Sequence, residues 1–129
     1  MNIYQNDLFG LPTLFLEGLQ GVLSVAEINF EPLQAGSRSN ADIFWLFRPE
    51  EARGSAAALI RYHPGGKAPL HLHTSFELIY MLEGEMITTQ GKVKKNDLIL
   101  LPPGSQHASR SETGCIALIL WNQPVQLIN

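Results

Sequence analysis

Short apolar segments recur along the chain, and each is rich in residues that favour β-strands. Six segments are the predicted strands: VLSVAEINF (22–30), DIFWLF (42–47), AALIRYH (57–63), FELIYML (76–82), DLILLP (97–102) and CIALILW (115–121). Turn-forming residues separate them: Pro64-Gly65-Gly66, Glu83-Gly84, Gln90-Gly91, Asn96-Asp97, Pro102-Pro103-Gly104 and Thr113-Gly114. Short strands at this spacing predict an all-β sandwich or barrel. Only residues 7–19 leave room for a helical turn, which their glycines and proline disfavour.

The composition predicts one compact domain over residues 1–129. Of these residues, 45% are hydrophobic and 16% are charged, whereas charged residues usually make up about a quarter of a globular chain. A disordered chain is therefore excluded. The net charge is −3, and the nine lysines and arginines are scattered along the sequence. We expect no nucleic-acid partner, because no basic stripe is available for a phosphate backbone.

The sequence also predicts a cytoplasmic protein that does not enter a membrane. Cys115 is the only cysteine, so no intrachain disulfide can form and a reducing compartment fits best. The apolar N-terminus lacks the basic start of an export signal and contains Asp7 and Glu17. The longest apolar run, CIALILW, is far shorter than the roughly 18 residues of a membrane-spanning helix.

The segment PLHLHTSFE (69–77) is the first candidate for chemistry. In a strand, His71 and His73 project from the same face with their Cα atoms about 6.5 to 7 Å apart. On a helix the same spacing would point the two rings in nearly opposite directions. Glu77 follows a short polar bend and begins the next predicted strand, so we expect a hairpin that returns its carboxylate beside the two imidazoles.

A fourth candidate ligand, His107, follows the predicted Pro102-Pro103-Gly104 turn, and we expect it on the second strand of another hairpin. Three imidazoles and one carboxylate suit a single divalent transition metal ion, namely iron, manganese, nickel, copper, cobalt or zinc. Four protein ligands leave open positions on an octahedral ion but saturate a tetrahedral zinc. The identity of the ion therefore decides whether the site can react.

The spacing of these residues resembles the two motifs of the cupins. The first motif, G-x5-H-x-H-x3-E-x6-G, is matched at Gly65, His71, His73, Glu77 and Gly84. The second, G-x5-P-x-G-x2-H-x3-N, is matched at Pro102, Gly104 and His107, with Asn96 in place of its glycine and Ser111 in place of its asparagine. Asparagine tolerates a left-handed backbone better than most residues, so the first replacement is mild. The second replacement removes no metal ligand.

The amino-acid sequence around the motifs is similar to that of the ChrR-like subgroup of the cupins. The stretches that carry this likeness are FWLF, LIRYHPGG, ELIYMLEGE, LLPPGSQHASRSETGC and WNQPV. The resemblance implies an all-β fold, the RmlC-like double-stranded β-helix (cupin or jelly-roll barrel), over about residues 40–125. Residues 1–39 are then an extension that packs on the barrel or on a dimer partner. It also implies that His71, His73, Glu77 and His107 hold the metal.

Two functions stay open on this resemblance. Some cupins with this ligand set are metal-dependent dioxygenases acting on small organic molecules. Others are non-catalytic small-molecule or redox sensors, and the subgroup includes the metal-binding half of anti-sigma factors. The helical zinc domain that grips the sigma factor has no counterpart before residue 40, so sigma binding is not carried over. A shared fold does not decide between these functions.

Alternation along the strands predicts the walls of the cavity and a homodimer. With Glu77 facing inward, Ile79 and Met81 share its face, and Ser109 and Ser111 share the face of His107. Arg61 is expected to bind a ligand carboxylate if its face looks inward, and otherwise to pair with an acidic side chain. His63 and Cys115 are expected to be structural. Leu78, Tyr80 and Leu82 form an outward set too apolar for water, which favours a homodimer.

Overall fold

The computed structural model describes residues 10–16, 21–33 and 39–127, and within them the chain is almost entirely β. It forms eleven strands in this part of the chain: β1 Thr13–Leu16, β2 Gly21–Ser24, β3 Glu31–Pro32, β4 Ser39–Phe47, β5 Ala56–Leu72, β6 Glu77–Thr88, β7 Gly91–Lys94, β8 Leu98–Leu101, β9 Gln106–Ser111, β10 Cys115–Trp121 and β11 Gln126–Leu127. Two short 3₁₀ turns, Val25–Glu27 and Pro49–Glu51, complete the elements. The predicted all-β fold class is confirmed.

Nine of these strands form one antiparallel sheet that closes into a barrel with two walls. We call the first the front wall, with the strand order β8, β6, β10, β5, β4 and β3. We call the second the back wall, with the order β7, β6, β9, β5 and β11. Strands β5 and β6 are long and contribute one half to each wall, so they carry the chain from one wall to the other.

The bends in β5 and β6 lie where the sequence predicts turns. Pro64-Gly65-Gly66 and Glu83-Gly84 do not end a strand, because β5 and β6 continue through them. Gly65 and Gly84 have φ values of 86° and 77°, in the left-handed region that glycine adopts at little cost. Asn96, which stands in place of a motif glycine, also has a positive φ of 75°. The expectation that asparagine would tolerate this backbone is therefore confirmed.

Near the N-terminus one predicted strand needs correction, and the disfavoured helical turn does not form in the described residues. The strand expected at 22–30 stops at Ser24, where the 3₁₀ turn Val25–Glu27 interrupts it. The helical turn considered for residues 7–19 is absent at Thr13–Leu16, which pairs with Gly21–Ser24 as an antiparallel hairpin. Residues 7–9 and 17–19 lie outside the described part of the chain. Apolar residues on one face favour a strand here because they can pack on the barrel.

The side chains inside the barrel form the main hydrophobic core, which includes Ile43, Ile60, Ile79, Met81 and Met86. A second apolar cluster covers part of the outer face of the front wall. There Val25 and Ile28 from the N-terminal segment pack with Leu59 and Ile116 of the barrel. The described N-terminal residues therefore pack against the barrel of their own chain. No helix in the described ranges is long and apolar enough to cross a membrane.

Candidate metal centre

The four predicted metal ligands converge inside the barrel. His71 lies near the end of β5 and pairs in register with His107 on β9, both in the back wall. His73 follows the last residue of β5, and Glu77 begins β6 in the front wall. Each of the four is at most 2% exposed. One ligand atom from each residue lies within 4.8 Å of the others, which is compact enough for one metal ion.

The route by which Glu77 reaches the histidines differs from the predicted hairpin. No ladder joins β5 to β6 among the described strands, because Glu77 pairs with Leu101 of β8 and Trp121 of β10. The bend after His73 carries the chain from the back wall to the front wall. The predicted hairpin that places His107 is also wrong, since β8 pairs with β6 and β9 pairs with β5 and β6. Closure of the barrel therefore assembles the cluster.

Backbone acceptors orient two of the imidazole rings. Nδ1 of His71 lies 2.8 Å from the carbonyl oxygen of Pro69, and Nδ1 of His73 lies 3.1 Å from that of Ser105. A carbonyl oxygen only accepts, so each Nδ1 carries the hydrogen and each Nε2 presents its lone pair. Nδ1 of His107 lies 3.4 Å from Nε2 of His71. The two contacts with carbonyl oxygens match those of metal-binding histidines, whose second nitrogen usually donates to a carbonyl or carboxylate.

The polar atoms at the centre are not fully satisfied by the protein. Nε2 of His73 and Oε1 of Glu77 are buried 3.4 Å apart, and neither atom makes a hydrogen bond among the described residues. Burial by itself lowers the pKa of His73, but the neighbouring Glu77 carboxylate outweighs it, and the net pKa is raised. Buried polar atoms without partners are costly. A cation bound among these donors would remove that cost, so the residues present fit a metal ion.

The structure also locates the four residues predicted to line the cavity. Ile79 and Met81 lie on the same face of β6 as Glu77 and are buried in the main core. Ser109 is buried two residues beyond His107 on β9. Arg61 is not brought to the cluster, because it faces out of the barrel and pairs with Asp42. Arg61 therefore forms an ion pair with an acidic side chain, which was the alternative to binding a ligand carboxylate.

Two residues near the cluster were not identified from the sequence. Ser105 accepts from His73 through its carbonyl oxygen and through its Oγ, at 3.0 Å. Its position two residues before His107 in the second motif was the available signal. Trp121 pairs in register with Glu77, and its side chain is buried. No local signal in CIALILW distinguishes Trp121 from an ordinary core residue.

A second polar cluster lies on the outer face of the front wall. Asp42 Oδ2 accepts from Nη2 of Arg61 at 2.7 Å and lies 2.6 Å from Nε2 of His63. The guanidinium of Arg61 also lies over the ring of Phe30, 4.4 Å from its centroid. Burial raises the pKa of Asp42, but the hydrogen bonds from Arg61 and His63 outweigh it, so the net pKa is lowered. His63 therefore pairs with Asp42 and lies outside the ligand cluster.

The single cysteine is a packing residue, as the sequence predicts. Cys115 lies at the start of β10, and its side chain is fully buried. Burial raises the pKa of its thiol to about 11. Because the thiolate is the reactive form, this thiol is a poor nucleophile at neutral pH.

The two-walled barrel with the ligand cluster inside it has the fold of a cupin. A family model, the ChrR Cupin-like domain, matches residues 20–125. The chain belongs to this family. The match begins about twenty residues earlier than the resemblance given by the motifs, so it includes Val25 and Ile28, which pack on the barrel. No curated protein matches the chain significantly.

Several solved structures share the fold at low sequence identity. The polyketide cyclase RemF from Streptomyces resistomycificus is 20% identical, with a TM-score of 0.67 over 80% of this chain and 81% of that one. An acetylacetone dioxygenase from Acinetobacter johnsonii is 14% identical, with a TM-score of 0.73 over 85% and 78%. The complex of Rhodobacter sphaeroides SigE with the anti-sigma ChrR is 18% identical, with a TM-score of 0.62 over 76% and 50%. At these identities the likeness shows the fold alone.

Proposed function

We propose that this protein is a metal-dependent cupin enzyme of the dioxygenase type that acts on a small organic molecule. The observation that supports this proposal is the buried cluster of three histidines and one carboxylate whose ligand atoms lie within 4.8 Å of one another. A bound iron, manganese, nickel, zinc, cobalt or copper ion would supply Lewis-acid chemistry, and the redox-active ions among these would also supply electron transfer.

The residues of the chain have separate roles in this proposal. His71, His73 and His107 would present ring nitrogens to a bound ion, and Glu77 would supply the one negative charge. The carbonyl oxygens that accept from Nδ1 of His71 and His73 fix the orientation of these two rings. The core residues around the cluster exclude bulk water, which strengthens electrostatic interactions with a bound molecule.

The second candidate function is a non-catalytic small-molecule or redox sensor. One observation favours it: the buried polar residues in the described ranges are the four ligands together with Thr88, Ser109 and Ser111. None of the three additional residues is a general acid or base at neutral pH. A sensor needs no such group, whereas an enzyme with this interior would depend on the metal for all of its chemistry.

The first experiment tests metal binding with a matched pair of variants. We expect about one metal ion per chain in the purified wild-type protein by elemental analysis, and less than about a tenth of that in His71→Ala/His73→Ala. His63→Ala removes a histidine of the outer polar cluster and should keep the wild-type metal content. Retention of the metal in the double variant would contradict both candidate functions.

A second experiment separates the enzyme from the sensor. Protein loaded anaerobically with iron should consume oxygen when a substrate from a panel of diketones, thiols, flavonols and oxalate is added. The double histidine variant is the control for free iron in solution. Absence of oxygen uptake with every metal, together with a ligand-dependent change in the metal absorption spectrum, would exclude the proposed enzyme activity and support the sensor function.

We also propose that the protein is a cytoplasmic homodimer. The support is an exposed apolar strip on the outer face of the front wall, where Leu78 pairs with Leu100 and Leu120 on the two flanking strands. Leu98 and Leu100 are 66% and 63% exposed. Contiguous apolar patches of several hundred Å² on a folded chain usually mark an interface. The strip is uncharged, so a second copy can cover it across a two-fold axis.

Light scattering tests this arrangement. The wild type should have the mass of two chains at micromolar concentration, and Leu98→Glu/Leu100→Glu should have the mass of one. Leu70→Glu is the matched control, because Leu70 is an exposed leucine on the back wall. A monomeric wild-type protein would exclude the homodimer.

A further inference from the structure

A second feature, separate from the ligand cluster, is a partly open apolar cavity of about 230 Å³ at the front wall. Its lining combines aliphatic, proline, glycine and tryptophan residues, and no charged or hydroxyl-bearing side chain of the described chain takes part. Ile43, Trp45, Ala56, Trp121 and Val125 are among the residues that line it. The two tryptophans are the only ones in the sequence.

The register of the strands explains why this space exists. Trp45 on β4 pairs with Ala58 on β5, and Trp121 on β10 pairs with Ala56 on the same strand. Strand β5, which has alanine at these positions, therefore lies between β4 and β10, each of which has a tryptophan. The small alanine side chains leave space beside the two rings, which pack against each other with their centroids 6.1 Å apart and their planes inclined by 46°. The cavity is thus built into the strand pairing.

The cavity also borders the ligand cluster. Trp121 lines the cavity and pairs in register with Glu77 on the adjoining strand. Both side chains are buried on the inner face of the front wall. A molecule seated against Trp121 therefore lies one strand away from the carboxylate of the cluster.

We propose that this cavity binds the uncharged ring portion of a small organic ligand, about one six-membered ring in size. A dry apolar cavity of about 150 Å³ is large enough to hold benzene, so about 230 Å³ accommodates one ring with a short substituent. The absence of charged groups in its described lining favours a neutral ring over a carboxylate-bearing one. This assignment rests on the proposed function, because it names the class of molecule that the cluster would act on.

The test uses toluene as a neutral probe and benzoate as its charged counterpart. The two indole N–H signals of ¹⁵N-labelled protein both report on the lining of the cavity, since Trp45 and Trp121 line it and the chain has no other tryptophan. Both signals should shift and saturate with toluene, with a dissociation constant of about 1 mM or tighter. Benzoate should bind at least about tenfold more weakly. The titration is run on metal-free and on zinc-loaded protein, and zinc content is measured in parallel.

Ala56→Leu fills the cavity from β5 and should weaken toluene binding at least about tenfold while leaving zinc content unchanged. Should Ala56→Leu fail to fold, Trp45→Phe and Trp121→Phe each leave a single reporter, and each remaining indole should still shift with toluene. Toluene that leaves both wild-type signals unmoved, or binds Ala56→Leu as well as wild type, overturns the cavity assignment. That result is distinguishable from failure of the proposed function, which would appear as loss of zinc binding with toluene binding retained.

Discussion

The chain places two clusters of histidine and acidic side chains on opposite faces of the same barrel, and they differ in how their charges are satisfied. On the outer face, Asp42 is paired with Arg61 and His63, so the cluster contains its own cation. On the inner face, Glu77 is surrounded by histidines and no lysine or arginine is among the buried polar residues of the described chain. The inner cluster therefore lacks a permanent positive charge of its own.

This difference distinguishes a structural cluster from a candidate binding site. An acidic side chain that accepts from Arg61 and His63 needs no further partner. A carboxylate only 2% exposed among imidazole rings needs a proton or a metal ion to neutralise it. The combination of histidine with a carboxylate does not by itself separate these two cases. The presence of an arginine in one cluster and its absence from the other does.

The largest expected effect is on the inner cluster, through removal of the metal. With metal at roughly a thousand times its dissociation constant, binding stabilises the fold by about 4 kcal/mol, which for a domain of this size raises Tm by about 15 °C. Protein treated with EDTA and dialysed should show this decrease in differential scanning calorimetry. Adding back the native metal should restore the original Tm.

The outer cluster supplies the control for this measurement. His63→Ala should show the same metal-dependent change in Tm as the wild type, because His63 lies outside the barrel interior. His71→Ala/His73→Ala should show no change when metal is added. An equal response of both variants to metal would mean that the two clusters do not differ as the structure indicates.

The next largest effect is expected from Asp42→Asn, which removes the negative charge of the outer cluster. Arg61 keeps an oxygen acceptor but loses its counter-charge, and hydrogen bonds to charged groups contribute about 1.5 to 3 kcal/mol each. We expect the free energy of unfolding to fall by about 2 kcal/mol in urea denaturation. Metal content should stay at the wild-type level. Loss of metal in this variant would show that the two clusters are coupled.

The same variant gives a pH dependence of known sign. The pKa of Asp42 is lowered from its ordinary value of 3.8 by the hydrogen bonds that outweigh burial. The unfolded chain therefore binds this proton more readily, so the stabilisation is present above pH 3.8 and is lost as pH falls through the folded pKa. The stability difference between wild type and Asp42→Asn should shrink as the pH is lowered from about 5 toward 3. A difference that grows on acidification would contradict the direction of the shift.

The sequence predicts the strands and their buried faces well, but it does not predict how they pair. The inward positions Glu77, Ile79 and Met81 follow from simple alternation along β6. The turns expected at Gly65 and Gly84 are instead bends inside long strands. A glycine with positive φ can end a strand or bend it, and local sequence does not separate the two outcomes because the difference depends on which strands lie alongside.

The set of metal ligands was predictable because it depends on residue type and spacing. The residues that surround the ligands were not predictable in this way. His71 and His73 share a face in any extended strand. The face on which Arg61 lies depends on the irregularities in pairing between β5 and its neighbours, which change the alternation before His71. Trp121 reaches Glu77 only because β10 pairs with β6, and the two residues are 44 positions apart in the sequence. Such long-range register is set by closure of the barrel and has no local signature.

The smallest effect in this comparison is expected from Ser105→Ala, which tests how firmly the inner cluster is oriented. Ser105 Oγ lies 3.0 Å from Nδ1 of His73, and the variant leaves the Ser105 carbonyl as the remaining acceptor for that ring. Removing a group that orients a metal ligand typically weakens metal affinity about 10- to 100-fold, and we expect the lower end because one acceptor is retained. Competition with a chromophoric chelator measures the change. Ser55→Ala, which removes a hydroxyl bonded to the Asn122 carbonyl, should leave the affinity as it is. Equal affinities in wild type and Ser105→Ala would mean that the backbone carbonyl alone holds the ring of His73.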